Sequence, residues 1–371
     1  MRDKQTCTFC VMNNETDPII TFDKNGQCNY CKEAIKRMPY TYFPNEEGKK
    51  KLRNIITKIK QEGKGKEFDC IMGISGGLDS AYLAYLGAEK WGLRILAIHC
   101  NDGFDEPVAI SNINKLVKKA RIKLINISPP AEEFADLTKA YMRAGVPNIA
   151  IPQDNVISAC LYEYALKYRI KYFLSGVNFS LEGVLQKGNT YTNRDSKNIY
   201  AIHKRFGERP INHLPIISPV KKDFIRFICG IKTIAPLNLI DYNKNHAIEE
   251  LKDYCGFEYY GAKHLENRLT KFIQLYWIYQ KFHIDKRTSH LSSLIVSGQL
   301  SRKDALKELE NPIYNQSEMD NDIKFILDKL GMQREEFDKI MLDQNHQHNE
   351  YPTSKYLKIR DWISQNIFGR K

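Results

Sequence analysis

Six residues constrain this chain more than any others: Ser75-Gly76-Gly77-Leu78-Asp79-Ser80. They follow a short apolar run, Phe68 to Ile74, which is too short for a helix and is bounded by a turn signal. That pattern predicts a buried strand. Behind the glycines, Ala81 to Ala88 is built from good helix formers. Strand, glycine turn and helix in this order make a phosphate site. The glycines admit positive φ and close backbone approach, and successive N–H groups and the helix N-terminus face an anion. The lysine of the common nucleotide-binding loop is missing, so the loop itself carries no fixed cation.

The chain then alternates. Leu93–Asn101, Arg121–Ile127 and Ile170–Gly176 read as strands, and Ser111–Ala120 and Val156–Tyr168 as helices. Such βαβ alternation predicts an α/β fold, a doubly wound parallel sheet of Rossmann-like type, with ligands at the carboxyl ends of the strands. Those ends supply Ser75–Ser80, His99–Asp102 and Gly176–Glu182. Polar residues at a strand end are also ordinary loop residues, and Asp79 and Ser80 are good helix caps.

Four of the nine cysteines open the chain: Cys7, Cys10, Cys28 and Cys31. The pattern is C-x2-C, seventeen residues, C-x2-C, which is zinc-ribbon spacing. Two such turns aim four sulfurs inward, and four thiolates complete a closed tetrahedron around Zn2+, a structural site with no open position. A redox pair and an iron–sulfur cluster are the alternatives. The remaining cysteines, among them Cys70, Cys100 and Cys160, stand singly in apolar surroundings and read as buried small hydrophobes.

Four segments are expected: a zinc-binding ribbon over 1–40, a helical linker over 41–66, the α/β domain with the phosphate loop over 67–262 and a helical C-terminal region over 263–371. In the linker Leu52, Ile55, Ile56 and Ile59 share one helix face. In the last segment Ser301 and Asp304 form a capping-box start, and His346 and His348 read as surface residues. No run of eighteen apolar residues is present, so no membrane span is expected. The first residues hold no apolar signal core, and a cytoplasmic protein is expected. Net charge is +12, but the basic residues are scattered and interrupted by acids, which speaks against a nucleic-acid partner.

SGGLDS in its strand–turn–helix setting resembles the pyrophosphate loop (PP-loop) of the ATP-pyrophosphatase superfamily. With the cysteine-rich start, SGVNFSLEG at Ser175–Gly183, YYGAKHLENRLTKF and the stretch from Lys281 to about Leu309, the chain resembles the PseA/WbpG-like N-acetyl sugar amidotransferases of surface-glycan biosynthesis. The resemblance implies an ATP-dependent, AMP- and pyrophosphate-forming enzyme. It would adenylate the N-acetyl carbonyl of a sugar and replace its oxygen with ammonia-derived nitrogen, giving an acetamidino sugar for lipopolysaccharide or pseudaminic-type acids. It also implies ATP and Mg2+, an N-acetylated sugar substrate, and a separate glutaminase, with or without a cyclase-like channel subunit, as the source of ammonia. On this resemblance Ser75, Gly76, Gly77, Leu78, Asp79 and Ser80 hold pyrophosphate, with Asp79 on Mg2+. His99, Asn101 and Asp102 lie near adenosine, and Gly176 and Asn178 close the phosphate side. Glu182 is a base or metal ligand, and Lys263, Lys286 and Arg287, with His264 and His290, stabilise charge on the α-phosphate. The alternatives are a tRNA-thiolating PP-loop enzyme, which would need catalytic cysteines at the ATP site, and a zinc-ribbon binding module without catalysis.

Overall fold

The computed structural model describes residues 4–15, 17, 19–261 and 265–366. Five strands, β1 (Cys70–Gly73), β2 (Ile95–Cys100), β3 (Lys123–Ile127), β4 (Tyr172–Leu174) and β5 (Lys232–Ile234), form one parallel sheet in the order β3-β2-β1-β4-β5. Cys70 pairs with Ile95, Leu96 with Lys123, Ile71 with Phe173 and Tyr172 with Lys232. The chain winds outward from β1 to β3, then returns to start β4 on the other side of β1. The sheet is therefore doubly wound, as its alternating pattern predicts, and the winding reverses between β1 and β4. A crevice at such a reversal is where an open α/β sheet accepts ligands.

The three central strands, β1, β2 and β4, are buried on both faces, and their side chains divide with period two. Ile71, Leu96, Ile98 and Phe173 join one core, with Tyr162 and Ile225. Cys70, Met72, Ile95, Ala97, Tyr172 and Leu174 join the other. A fully buried side chain such as Ile71 contributes about 1.5–3 kcal/mol by removal from water.

Two helices precede the sheet, α1 (Asn29–Thr41) and α2 (Glu46–Gly63). The expected linker is thus a helix, capped by Asn45, whose side chain accepts the Gly48 N–H at 3.1 Å. Its Leu52, Ile56 and Ile59 enter the sheet core. Between strands lie α3 (Leu78–Tyr85), continued by a π-helical turn to Lys90, α4 (Pro107–Lys119), α5 (Ala131–Arg143) and α6 (Ile151–Lys167). The chain from β4 to β5 carries α7 (Phe179–Glu182), α8 (Ser196–Phe206) and α9 (Pro219–Ile228); α10 (Lys244–Cys255) follows β5. The remainder is helical: α11 (Arg268–Phe272), α12 (Ile278–Phe282), α13 (Arg287–Val296), α14 (Arg302–Leu309), α15 (Gln316–Leu330), α16 (Arg334–Leu342) and α17 (Lys355–Asn366). Phe272, Trp277, Ile323 and Phe337 from this region pack with Phe134, Tyr141 and Ile199 of the α/β part in one continuous core. Among the described residues no helix is long and apolar enough to cross a membrane.

His348 is not a surface residue. It is buried, stacks on Tyr191 at 4.9 Å and accepts the Asn148 N–H on Nε2 at 3.3 Å. Burial lowers its pKa to about 3, so it serves as a neutral packing group.

Candidate active site

The carboxyl end of β1 runs directly into the glycine loop. Gly76 adopts φ +79°, a conformation that L side chains rarely adopt, and a methyl group on it would lie 2.5 Å from the Ala109 carbonyl. Gly76 is therefore required both for the turn and for the approach of α4. The loop folds around its own hydroxyls. The Ser75 N–H donates to Ser80 Oγ at 3.3 Å, the Gly77 N–H to Ser75 Oγ at 3.2 Å, and Ser80 Oγ donates to the Gly77 carbonyl at 3.1 Å. Asp79 follows in the first turn of α3, where its carboxylate accepts a short hydrogen bond from the Tyr242 hydroxyl.

This loop forms one wall of a cavity of about 380 Å³. Ser75, Gly77, Leu78, Asp79 and Ser80 line it, with Gly176 and Glu182 from the end of β4 and from α7. Gly176 lies against Asp79, so a methyl group there would meet Asp79 backbone at 3.3 Å. The opposite wall is the start of α13: Lys286, Arg287, His290, Leu291 and Leu294. Burial pushes the Lys286 ammonium below its ordinary pKa, and the carboxylates of Asp17 and Glu182 oppose that shift. A half-buried lysine of this kind is a cation held in a low-dielectric cleft.

Arg287 lines the cavity, yet its donors are committed elsewhere. Nε and Nη2 bind the Asp285 carboxylate at 3.1 and 2.8 Å, and Nη1 binds the Asn311 carbonyl at 2.8 Å. It fastens the segment after α14, which brings Ile313 to the cavity.

The other expected residues are placed differently. Asn178 is buried and caps α7, accepting the Leu181 N–H at 3.0 Å. Asn101 holds a turn through the Gly103 N–H. His99 is buried, its Nδ1–H donates to the Ile74 carbonyl at 3.0 Å, and its Nε2 lies 3.2 Å from Asp105. Burial alone would lower the His99 pKa; the Asp105 carboxylate, the Ile74 carbonyl and Asp102 together hold the group above its ordinary value. Asp102 accepts from Asn267 at 3.0 Å and from Gln153. His99, Asn101, Asp102 and Asn178 are not among the residues lining this cavity. His99 and Asp102 belong to a buried polar cluster that pins Asn267, and with it the start of the C-terminal helices. Lys263 and His264 lie outside the described residues.

Sequence reasoning missed Lys244, Tyr259, Tyr260 and Glu266, all of which line the cavity. Tyr260 and Glu266 touch the glycine loop from 182 and 191 residues away. Both lie in the YYGAKHLENRLTKF stretch that carries the resemblance, but nothing local in it shows that they reach the glycine loop.

The four N-terminal cysteines are buried with their sulfurs within 4.8 Å of one another. Cys7 and Cys31 Sγ are 3.7 Å apart and Cys10 and Cys28 Sγ 3.5 Å. A tetrahedral zinc with bonds of about 2.3 Å needs sulfurs roughly 3.8 Å apart, so the quartet fits Zn2+. The Cys28 and Cys10 N–H groups donate to Cys7 Sγ at 3.2 and 3.4 Å, as thiolate ligands require. The ribbon packs against α7 and α13 through Phe179, Val184 and Val296, so it supports the elements that carry Glu182 and Lys286.

Residues 266–364 match the family model "LPS biosynthesis protein WbpG-like, C-terminal domain". The match covers the region that supplies Lys286, Arg287 and His290. Over 311 residues the chain is 24% identical to the uncharacterized protein MJ1599 of Methanocaldococcus jannaschii, covering 82% of this chain and 93% of that one. Among solved structures, NMN synthetase from Francisella tularensis aligns at TM-score 0.30 and 18% identity, over 64% of this chain and 96% of the other. NH3-dependent NAD synthetase from Campylobacter jejuni aligns at TM-score 0.29 and 15% identity, over 56% and 93%.

Proposed function

We propose that this chain is an ATP-dependent amidotransferase that converts the N-acetyl group of a sugar to an acetamidino group in surface-glycan biosynthesis. One observation carries the reading: a glycine loop rich in amides and hydroxyls shares a single cavity with Lys286, on the wall belonging to the WbpG-like region. The loop suits the outer two phosphates of ATP, which leave together as pyrophosphate. Lys286 suits the charge that builds on the inner phosphate, and it needs no partner in the loop.

An amide carbon is a poor electrophile because its nitrogen donates into the carbonyl. The carbonyl oxygen attacks the α-phosphate, the bond to the β-phosphate breaks and pyrophosphate leaves. Ammonia then adds to the activated carbon, and AMP departs with the former carbonyl oxygen. Amide, ATP and ammonia thus give amidinium, AMP and pyrophosphate. Mg2+ arriving with the nucleotide supplies further positive charge. Asp79 and Glu182, both on the cavity wall, are the carboxylates suited to hold it. Ammonia comes from a separate glutaminase or from solution.

The thiolating alternative is less well supported. Burial pushes the Cys100 thiol up to about 12 and that of Cys160 to about 11, and neither lines the cavity. Such thiols are poor nucleophiles. The test is incubation with ATP, Mg2+, ammonia and a panel of N-acetyl sugars, read by pyrophosphate release and mass spectrometry. A product lighter by the difference between O and NH is expected. Release that depends on tRNA, or formation of ADP in place of AMP, overturns the assignment.

A further inference from the structure

The glycine loop is not open in this structure: another part of the chain sits on it. Ser75 Oγ donates to Glu266 Oε1 at 3.1 Å, and the Leu78 N–H, the first of α3, donates to the Tyr260 hydroxyl at 3.1 Å. A methyl group built on Gly77 would lie 2.5 Å from the same Glu266 oxygen and 3.0 Å from the Tyr260 hydroxyl. The carboxylate and the phenol therefore lie directly on the open face of the loop, where a phosphate would bind. The other carboxylate oxygen, Oε2, is buried and has no hydrogen-bond partner among the described residues.

The backbone that carries Glu266 is firmly held. Its carbonyl accepts the Glu106 N–H at 3.0 Å, and the Arg268 N–H donates to the Phe104 carbonyl at 2.7 Å. Between them Asn267 donates to Asp102 at 3.0 Å and to Asp105 at 3.2 Å. The side chain can leave the loop by turning about its own bonds while the main chain stays fixed.

We propose that Glu266, together with Tyr260, is an internal occupant of the phosphate loop that the phosphates of the nucleotide must displace. This rests on the reading of the loop as a phosphate site. A carboxylate is an anion of the right sign for a nest of N–H and O–H donors. Two anions cannot share those donors, so the resident group competes with the incoming one. It is a weak resident: burial disfavours its charged form, and Oε2 has no well-formed hydrogen bond among the described residues. A polyphosphate that can engage Ser75, Ser80 and the helix N-terminus together displaces it. Until then the donors of the loop are kept partly paired. The affinity for nucleotide is lowered by whatever free energy the resident contact contributes.

The test is calorimetric titration of the full chain with inorganic pyrophosphate and Mg2+, comparing wild type with Glu266→Gln and Tyr260→Phe. Glu266→Gln keeps the shape and removes the charge, and it is expected to bind pyrophosphate at least about fivefold more tightly. Tyr260→Phe releases the Leu78 N–H and is expected to bind more tightly too. Equal or weaker binding by Glu266→Gln overturns the proposal, because the carboxylate would then be neutral or helpful to phosphate. Should that variant not fold, unchanged or weaker binding by Tyr260→Phe overturns it alone. Failure of all three proteins to bind pyrophosphate removes the phosphate reading of the loop as well.

Discussion

Arg302 on α14 donates from Nη2 to the carbonyl of Cys7 at 2.8 Å, and from Nε to that of Cys10 at 3.0 Å. The first cysteine knuckle is thus closed by a side chain from nearly 300 residues further along. Beside it the Val11 N–H donates to Ser292 Oγ on α13 at 3.2 Å, and α13 begins where Lys286 ends the preceding turn. The cysteine cluster therefore acts on the cavity wall through packing. Two outcomes are expected. Cys28→Ser lowers bound zinc from one equivalent per chain and weakens pyrophosphate release along with stability. Arg302→Ala retains the metal but destabilises the chain by about 1.5–3 kcal/mol, the range for hydrogen bonds from a charged group. Elemental analysis and urea unfolding measure both. An Arg302→Ala protein with wild-type stability would show that the ribbon is not held by this contact.

Gly76 offers a sharper test of the loop. An alanine there must adopt a positive φ, which costs roughly 1–2 kcal/mol, and must also push back the Ala109 carbonyl. The backbone of α4 cannot move without disturbing the loop it supports. Gly76→Ala is expected to fold with reduced stability and to lose pyrophosphate release by a factor of about 100 or more. Gly65, which has φ +78° and open space around it, is the control: Gly65→Ala suffers the strain alone and keeps activity. Equal activity of the two variants would separate the loop geometry from catalysis.

Lys286 makes a prediction in pH. Burial disfavours its charged form, so the ammonium loses its proton at lower pH than a free lysine does. If the charged form is the working one, activity falls on the alkaline side, with a midpoint below the ordinary lysine value. Lys286→Arg, whose group stays charged, moves that fall to higher pH while retaining part of the rate. Lys286→Met removes about two to three orders of magnitude in kcat/KM, the usual effect of losing one transition-state donor. The pH dependence of kcat/KM for pyrophosphate release distinguishes these forms. An alkaline limb unmoved in Lys286→Arg would assign the titration to another group.

Much of this was legible in the chain. β1, the loop and α3 are contiguous, so local signals sufficed: a short apolar run, two glycines, then helix formers. The cysteine quartet was legible because spacing alone fixes which sulfurs can converge. His99 and Asp102 show the limit. A polar residue at a strand end has the same sequence signature whether it faces a ligand or anchors another segment; here Asp102 binds Asn267 directly, and His99 lies against Asp105, which also accepts from Asn267. Arg287 shows a second limit: Asp285, two residues before it, takes Nε and Nη2, and Nη1 goes to the Asn311 carbonyl after α14, which a charge pattern does not show. Tyr260 and Glu266 reach the loop only through tertiary folding. Asn45, Asn267 and Asn315, by contrast, cap helices as their residue type allows, because a cap is a local bond.

The Asp102 cluster supplies the last prediction. Burial, with the neighbouring Asp105 carboxylate second, pushes the Asp102 carboxyl up to about 6. The unfolded chain releases that proton near about 3.9. Between these values the folded chain holds a proton that the unfolded chain has lost. The associated stability is fully present below about 4 and disappears as pH rises through about 6. Asn at this position has no proton to release. The unfolding free energy of Asp102→Asn, taken relative to wild type, is therefore expected to rise by about 2–3 kcal/mol between pH 4 and pH 7. Urea unfolding of both proteins across that range measures it. Parallel pH profiles would mean that Asp102 keeps one charge state throughout, and that the contact between Asn267 and the end of β2 does not titrate.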